Sequence, residues 1–257
     1  MERRMFLGAM GGLGAASLGQ AAAESGKTRF YVLEQMFLRN GSQLPRLHEF
    51  ASGALLPALK KVHTGPKIYL EALVAPHMPQ FAAIYGFESL DEIRNLHAKT
   101  MDDAELMKQM DALESGPEPP FETQTTSLIE AADYSPQMVP AEASAAPRLF
   151  ELRTYHSPTW RQLKALHERF AGPEVKIFHR SGIHPVLYGS TIFGADMPNL
   201  TYVIPFESLA AREKAWSAFG ADPEWVKVRK ESIDKYGQIT SVIRISIYKA
   251  APYSPVR

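Results

Sequence analysis

The chain repeats itself, and that constrains its fold more than any other feature. Leu47-His48-Glu49 returns as Leu166-His167-Glu168, an offset of 119 (166 − 47). Phe87-Glu88-Ser89-Leu90 returns as Phe206-Glu207-Ser208-Leu209 at the same offset, and Met78-Pro79 as Met197-Pro198. Gly53, Pro66 and Tyr69 likewise match Gly172, Pro185 and Tyr188. Near the ends, Ala131-Ala132-Asp133-Tyr134-Ser135-Pro136 matches Ala250-Ala251-Pro252-Tyr253-Ser254-Pro255. An ungapped register held for about 90 residues points to two homologous domains. They are assigned to residues 28–135 and 148–255, with the aperiodic, Pro- and Ala-rich stretch 136–147 as linker.

Within each copy the apolar pattern alternates between two periods. A strand is expected over 30–37 and 149–156, then a helix over about 43–63 and 159–181 with apolar residues at helical spacing. Two strands follow, flanking Met-Pro. Ser89 or Ser208 is the expected cap of the next helix, a short helix begins near Asp103 or Asp222, and a last strand closes the unit. The order β-α-β-β-α-β is the ferredoxin-like split unit. Its helices cover one face of a four-stranded antiparallel sheet, so the other face needs a partner. The second copy supplies one within the chain. The predicted class is therefore α+β: two tandem ferredoxin-like domains packed sheet to sheet in one barrel-like body.

Composition narrows the function. The 28 Lys and Arg balance the 28 Asp and Glu, which argues against an electrostatic nucleic-acid binder. With no cysteine, there is no disulfide framework, thiolate nucleophile or iron–sulfur cluster. A Gly-rich phosphate loop, a Gly-x-Ser-x-Gly elbow and a His-Glu-x-x-His helix are all missing from the sequence. At the N-terminus, Arg3-Arg4 followed by Met5-Phe6-Leu7 and a Gly/Ala-rich apolar run resembles a twin-arginine export signal. Ala21-Ala22-Ala23 offers the small residues of a cleavage site, so residues 1–23 read as a signal peptide. That reading implies a periplasmic or secreted protein with no stable membrane anchor after cleavage.

The second copy carries a recognisable set: Phe150-Glu151-Leu152-Arg153-Thr154-Tyr155, Tyr188-Gly189, Phe206-Glu207-Ser208-Leu209-Ala210-Ala211-Arg212 and Asp222-Pro223-Glu224-Trp225. In order and spacing this resembles the NIPSNAP family, and the first copy resembles a diverged version of it. The resemblance implies the dimeric α+β barrel fold, here built from one chain as a pseudo-dimer that is a monomer or forms homo-oligomers. It implies no settled chemistry. The wider superfold also hosts haem enzymes and small-molecule monooxygenases, a link by fold alone.

Strand alternation nominates a site. Phe150 and Leu152 share one face of the strand, and Glu151, Arg153 and Tyr155 the other. If the apolar set meets the helices, the polar set enters the space between the sheets. Arg244 and Tyr248 of the last strand then lie beside Arg153 and Tyr155, with Tyr188 on the same wall. Two guanidiniums with phenolic donors suit an anionic small molecule. The competing reading pairs Glu151 with Arg153 and leaves Arg244 in water. His48 and His167 hold equivalent helix positions and are the candidate haem ligands or bases. The spacing of His179 and His184 does not fit a helical zinc site, so no metal is assigned. Three readings stay open: a binder of a small ligand in the inter-sheet cavity, a haem-dependent or cofactor-independent monooxygenase with an unassigned catalytic set, and a structural module with a filled interior.

Overall fold

A computed structural model describes residues 26–142 and 145–257. The signal-peptide assignment falls outside these residues. In the first repeat, β1 (Phe30–Phe37) leads into α1 (Gln43–Phe50), a π-helical turn (Ala51–Leu55) and α2 (Leu56–Val62). Then come β2 (Lys67–Val74), β3 (Gln80–Phe87), α3 (Leu90–Met101), α4 (Ala104–Glu114) and β4 (Thr123–Ala131). The second repeat follows the same course: β5 (Leu149–His156), α5 (Trp160–Arg169), a π-helical turn (Phe170–Glu174) and α6 (Val175–Arg180). It ends with β6 (Leu187–Phe193), β7 (Asn199–Phe206), α7 (Leu209–Ala221), α8 (Pro223–Tyr236) and β8 (Val242–Ala250).

Local chemistry sets the helix starts. Ser89 and Ser208 accept the backbone N–H of Glu92 and Ala211, while Asp103 and Asp222 cap α4 and α8. Pro173 interrupts the long helix of the second copy as a π-turn with Gly172 outside helical geometry, and Ala51–Leu55 makes the same turn without proline.

The eight strands of the described residues form one closed barrel in the order β1-β3-β2-β8-β5-β7-β6-β4. The two sheets therefore meet along their edges as well as across their faces. β2 pairs with β8 and β4 with β6, both antiparallel, so closure needs no second chain. Each seam is zipped over only part of its length. Pairing of β4 with β6 covers Leu128–Ala131, and pairing of β8 with β2 covers Ile247–Ala250. The preceding halves, Thr123–Ser127 and Val242–Ser246, pair only with β1 and β5 and flank a mouth into the barrel.

Three apolar clusters follow from this geometry. One fills the barrel with Tyr31, Leu33, Ile68, Phe150, Leu152 and Val203. The others lie between each sheet and its own helices. The repeat tails cross over. Tyr134, ending the first copy, hydrogen-bonds Nδ1 of His167 in the second at 2.8 Å, and Tyr253 hydrogen-bonds Nδ1 of His48 at 2.9 Å. Ser135 accepts the Tyr188 amide and Ser254 the Tyr69 amide, each at 3.0 Å. The shared Tyr-Ser-Pro tail is thus a reciprocal clasp between the two halves. Among the described residues no helix is long and apolar enough to cross a membrane.

Candidate functional site

The alternation along β5 is as expected, but its two faces are reversed. Phe150 and Leu152 point into the barrel, whereas Glu151, Arg153 and Tyr155 face the helices. The reason lies 61 and 65 residues downstream, at Arg212 and Trp216. Glu151, fully buried, accepts Nε and a terminal nitrogen of Arg212 at 2.8 and 3.0 Å, Nε1 of Trp216 at 2.9 Å and Arg153 at 2.7 Å. A carboxylate with four donors tolerates burial that an unpartnered one would not. Meanwhile a closed eight-stranded barrel needs apolar side chains to fill its tapering end, and Phe150 and Leu152 supply them. Arg153 stacks 4.1 Å from the Trp216 ring centroid. Burial opposes its charge, but Tyr202, Tyr155 and Glu151 outweigh that and hold it protonated.

Arg153 and Arg244 therefore lie on opposite faces of the sheet, and the expected paired-arginine site does not form. Tyr155 and Tyr188 join the helix-side cluster around Phe170, where burial raises both phenol pKa values. His167 lies between Tyr134 and Ser190, whose hydroxyl is 2.7 Å from Nε2, and burial lowers its pKa. With both ring nitrogens engaged, neither is free for iron. His48 is held by Tyr253 and faces Glu71 at 3.4 Å. These residues do not fit a haem ligand set. Among the described residues no group of His, Cys, Asp and Glu could hold a metal ion.

Two of the six nominated residues do reach the barrel interior. Tyr248 accepts Nε2 of Gln35 and Nε2 of Gln80, both at 3.0 Å. Arg244 stands at the mouth, 2.7 Å from Asp196. Between them lies a cavity of about 230 Å³. Its polar wall is Gln35, Gln80, Thr125, Thr154, Thr201 and Ser246, and its apolar wall includes Leu33, Phe37 and Leu152. Sequence reading missed the uncharged members of this wall. Their signal was present, since Gln35, Thr154 and Ser246 fall on the inward parity of β1, β5 and β8.

Residues 150–255 match the NIPSNAP family. The second repeat is a NIPSNAP domain. The motif residues that mark it are in large part each other's partners: Glu151 accepts from Arg153 of its own segment and from Arg212 of a later one. Asp222 of the last segment both caps α8 and pairs with Arg180. Among solved structures, the whole chain resembles a candidate monooxygenase from Fusobacterium nucleatum subsp. nucleatum, with TM-score 0.56 and 10% identity over 87% of this chain and 92% of that one. An anthrone oxidase-like protein gives TM-score 0.52 and 11% identity over 88% and 92%. A chlorite dismutase variant from Candidatus Nitrospira defluvii, in complex with cyanide, gives 0.52 and 7% over 90% and 94%. These likenesses establish the dimeric α+β barrel fold. No curated protein matches the sequence.

Proposed function

We propose that this NIPSNAP-domain protein binds a small, uncharged polar molecule inside the open end of its barrel. The observation that carries this reading is the cavity of about 230 Å³ bordered by both half-zipped seams. A cavity of roughly 150 Å³ accepts benzene, so this space suits a compound built on a single ring. Haem, with four pyrrole rings and two propionates, exceeds it several-fold. Arg244 is the one cation among the described residues lining the cavity, and Asp196 neutralises it at 2.7 Å. That geometry favours a neutral ligand over the anionic one. Gln35 and Gln80 each donate one amide N–H to Tyr248, and a side-chain amide keeps a second N–H donor and a carbonyl acceptor for a neutral polar ligand.

The test is ligand-observed NMR with phenol and δ-valerolactam, beside benzoate and benzylamine as charged counterparts. The neutral compounds bind the wild type, and Ser246→Leu, which fills the cavity, abolishes the signal. Equal binding to both proteins, or preference for a charged compound, refutes the reading. Monooxygenase chemistry in this cavity has less support, because Asp196 is the one carboxylate among the described residues lining it and Arg244 holds it.

We propose further that the chain acts outside the cytoplasm, on the strength of Arg3-Arg4 and the small residues at 21–23. Cell fractionation of wild type and an Arg3→Lys, Arg4→Lys variant tests this. The wild type belongs in the exported fraction and the variant in the cytoplasm, and identical distribution of the two refutes it.

A further inference from the structure

The tandem architecture contains its own comparison. At the offset of 119, Phe50, Leu55, Leu106, Met110 and Leu113 of the first repeat stand where the second has Arg169, Glu174, Trp225, Arg229 and Ser232. The five first-repeat residues are buried together in one apolar cluster. Helix α4 buries Leu106, Met110 and Leu113, whereas its counterpart α8 buries no residue over 14 positions. In the second copy Arg169, Trp225 and Arg229 line, with Tyr155, Ile239 and Thr240, a cavity of about 110 Å³. Trp225, Arg229 and Ile233 also line an adjacent cleft of about 310 Å³.

The fold does not need these polar residues, because the first copy closes over Met and Leu at the same positions. Placing Arg and Ser there gives up apolar burial and brings charge against the core. The charges are arranged with a surplus. Nε of Arg169 donates to Glu174 at 2.6 Å, and a terminal nitrogen donates to Ser232 at 3.2 Å. The acids beside Arg229 on α8, Glu231 and Asp234, are engaged by Lys227 and Lys230. Two guanidiniums against one carboxylate leave the cavity positive. Thr240 adds a buried Oγ1 without a hydrogen-bond partner. Outside, Val226 is 58% exposed along the wider cleft, beside Trp225.

We infer that the space beneath α8 is a second binding site, separate from the barrel cavity, for a small monocarboxylate with an apolar or aromatic body. The inner cavity is smaller than one that admits benzene, so it takes the carboxylate, against Arg229 and Thr240. The body lies outward along Trp225, Val226 and Ile233. Guanidinium and hydroxyl donors recognise a carboxylate through charge-assisted hydrogen bonds, and the aromatic and branched walls cover the tail.

Calorimetric titration of the full chain with phenylacetate, and with 2-phenylethanol as its uncharged counterpart, tests the site. One saturable equivalent of the acid binds and the alcohol binds more weakly. Arg229→Met, which restores the residue of the first copy, weakens the acid roughly tenfold or more. Arg229→Lys retains part of the affinity, and the thermal midpoint of Arg229→Met is unchanged or higher. The barrel variant Ser246→Leu binds phenylacetate normally, which separates this site from the other. No binding of the acid, equal affinity in Arg229→Met, or equal affinity for the alcohol would overturn the inference.

Discussion

The buried pair Arg169–Glu174 offers a measurement in which size, sign and pH window all follow from the structure. Both side chains are almost wholly buried, and the first repeat builds the same corner from Phe50 and Leu55. Burial raises the Glu174 carboxyl from 4.5 to about 7, a shift that Arg169 at 2.6 Å reduces but does not cancel. Between those two values the native protein holds a proton that the unfolded chain has released. Stability therefore falls as pH rises through this window, by roughly 3 kcal/mol in all at about 1.4 kcal/mol per unit. The double variant Arg169→Phe, Glu174→Leu removes the titrating group and restores an apolar corner. At pH 7.5 it should be about 1–4 kcal/mol more stable than wild type, as replacement of buried ion pairs by packed apolar residues often is. Arg169→Phe alone strands the carboxylate and should cost about 3–5 kcal/mol at the same pH. Urea unfolding of the three proteins at pH 4.5 and 7.5 reads every term, and other titrations cancel in the difference from wild type. A double-minus-wild-type difference that does not change with pH would refute the assignment of the buried carboxyl.

Three further outcomes follow from other contacts. Glu151→Ala leaves Arg153, Arg212 and Trp216 without their shared acceptor and should cost roughly 3–5 kcal/mol, read as a lowered urea midpoint. Gly189→Ala places a Cβ 2.5 Å from the Glu130 carbonyl oxygen across the β4–β6 seam, so that seam must shift. The expected cost is about 1–3 kcal/mol, with faster amide exchange at Ile129 and Ala131. Tyr134→Phe and Tyr253→Phe each remove one half of the reciprocal clasp, at about 1 kcal/mol apiece. The double variant should show their sum, because the two clasps share no partner.

The fold was legible because periodicity is local and the repeat is long. The strands at 30–37 and 149–156 lie where alternation places them, and Ser89, Ser208, Asp103 and Asp222 cap the helices they precede. Sequence alternation puts the terminal strands at 121–129 and 239–248; they run two or three residues later, Thr123–Ala131 and Val242–Ala250, because alternation gives no sharp boundary. The site was less legible for a specific reason. Alternation separates two faces of a strand but does not say which faces the barrel, and Glu151 and Arg153 read as cavity residues until Arg212 and Trp216 are seen above them. His48 and His167 resembled ligands because both copies keep them, and their partners, Tyr253 and Tyr134, come from the opposite copy. Position-by-position comparison of the two copies was the unused signal. Arg229 against Met110 and Glu174 against Leu55 mark a polar pocket that neither copy announces alone.

Native mass spectrometry of the protein purified from its own host tests the central claim most directly, comparing wild type with Ser246→Leu. The account predicts a mass increment of a compound built on a single ring on the wild type, present in one copy per chain and lost in the variant. An increment that survives Ser246→Leu, or one the size of haem, would contradict it.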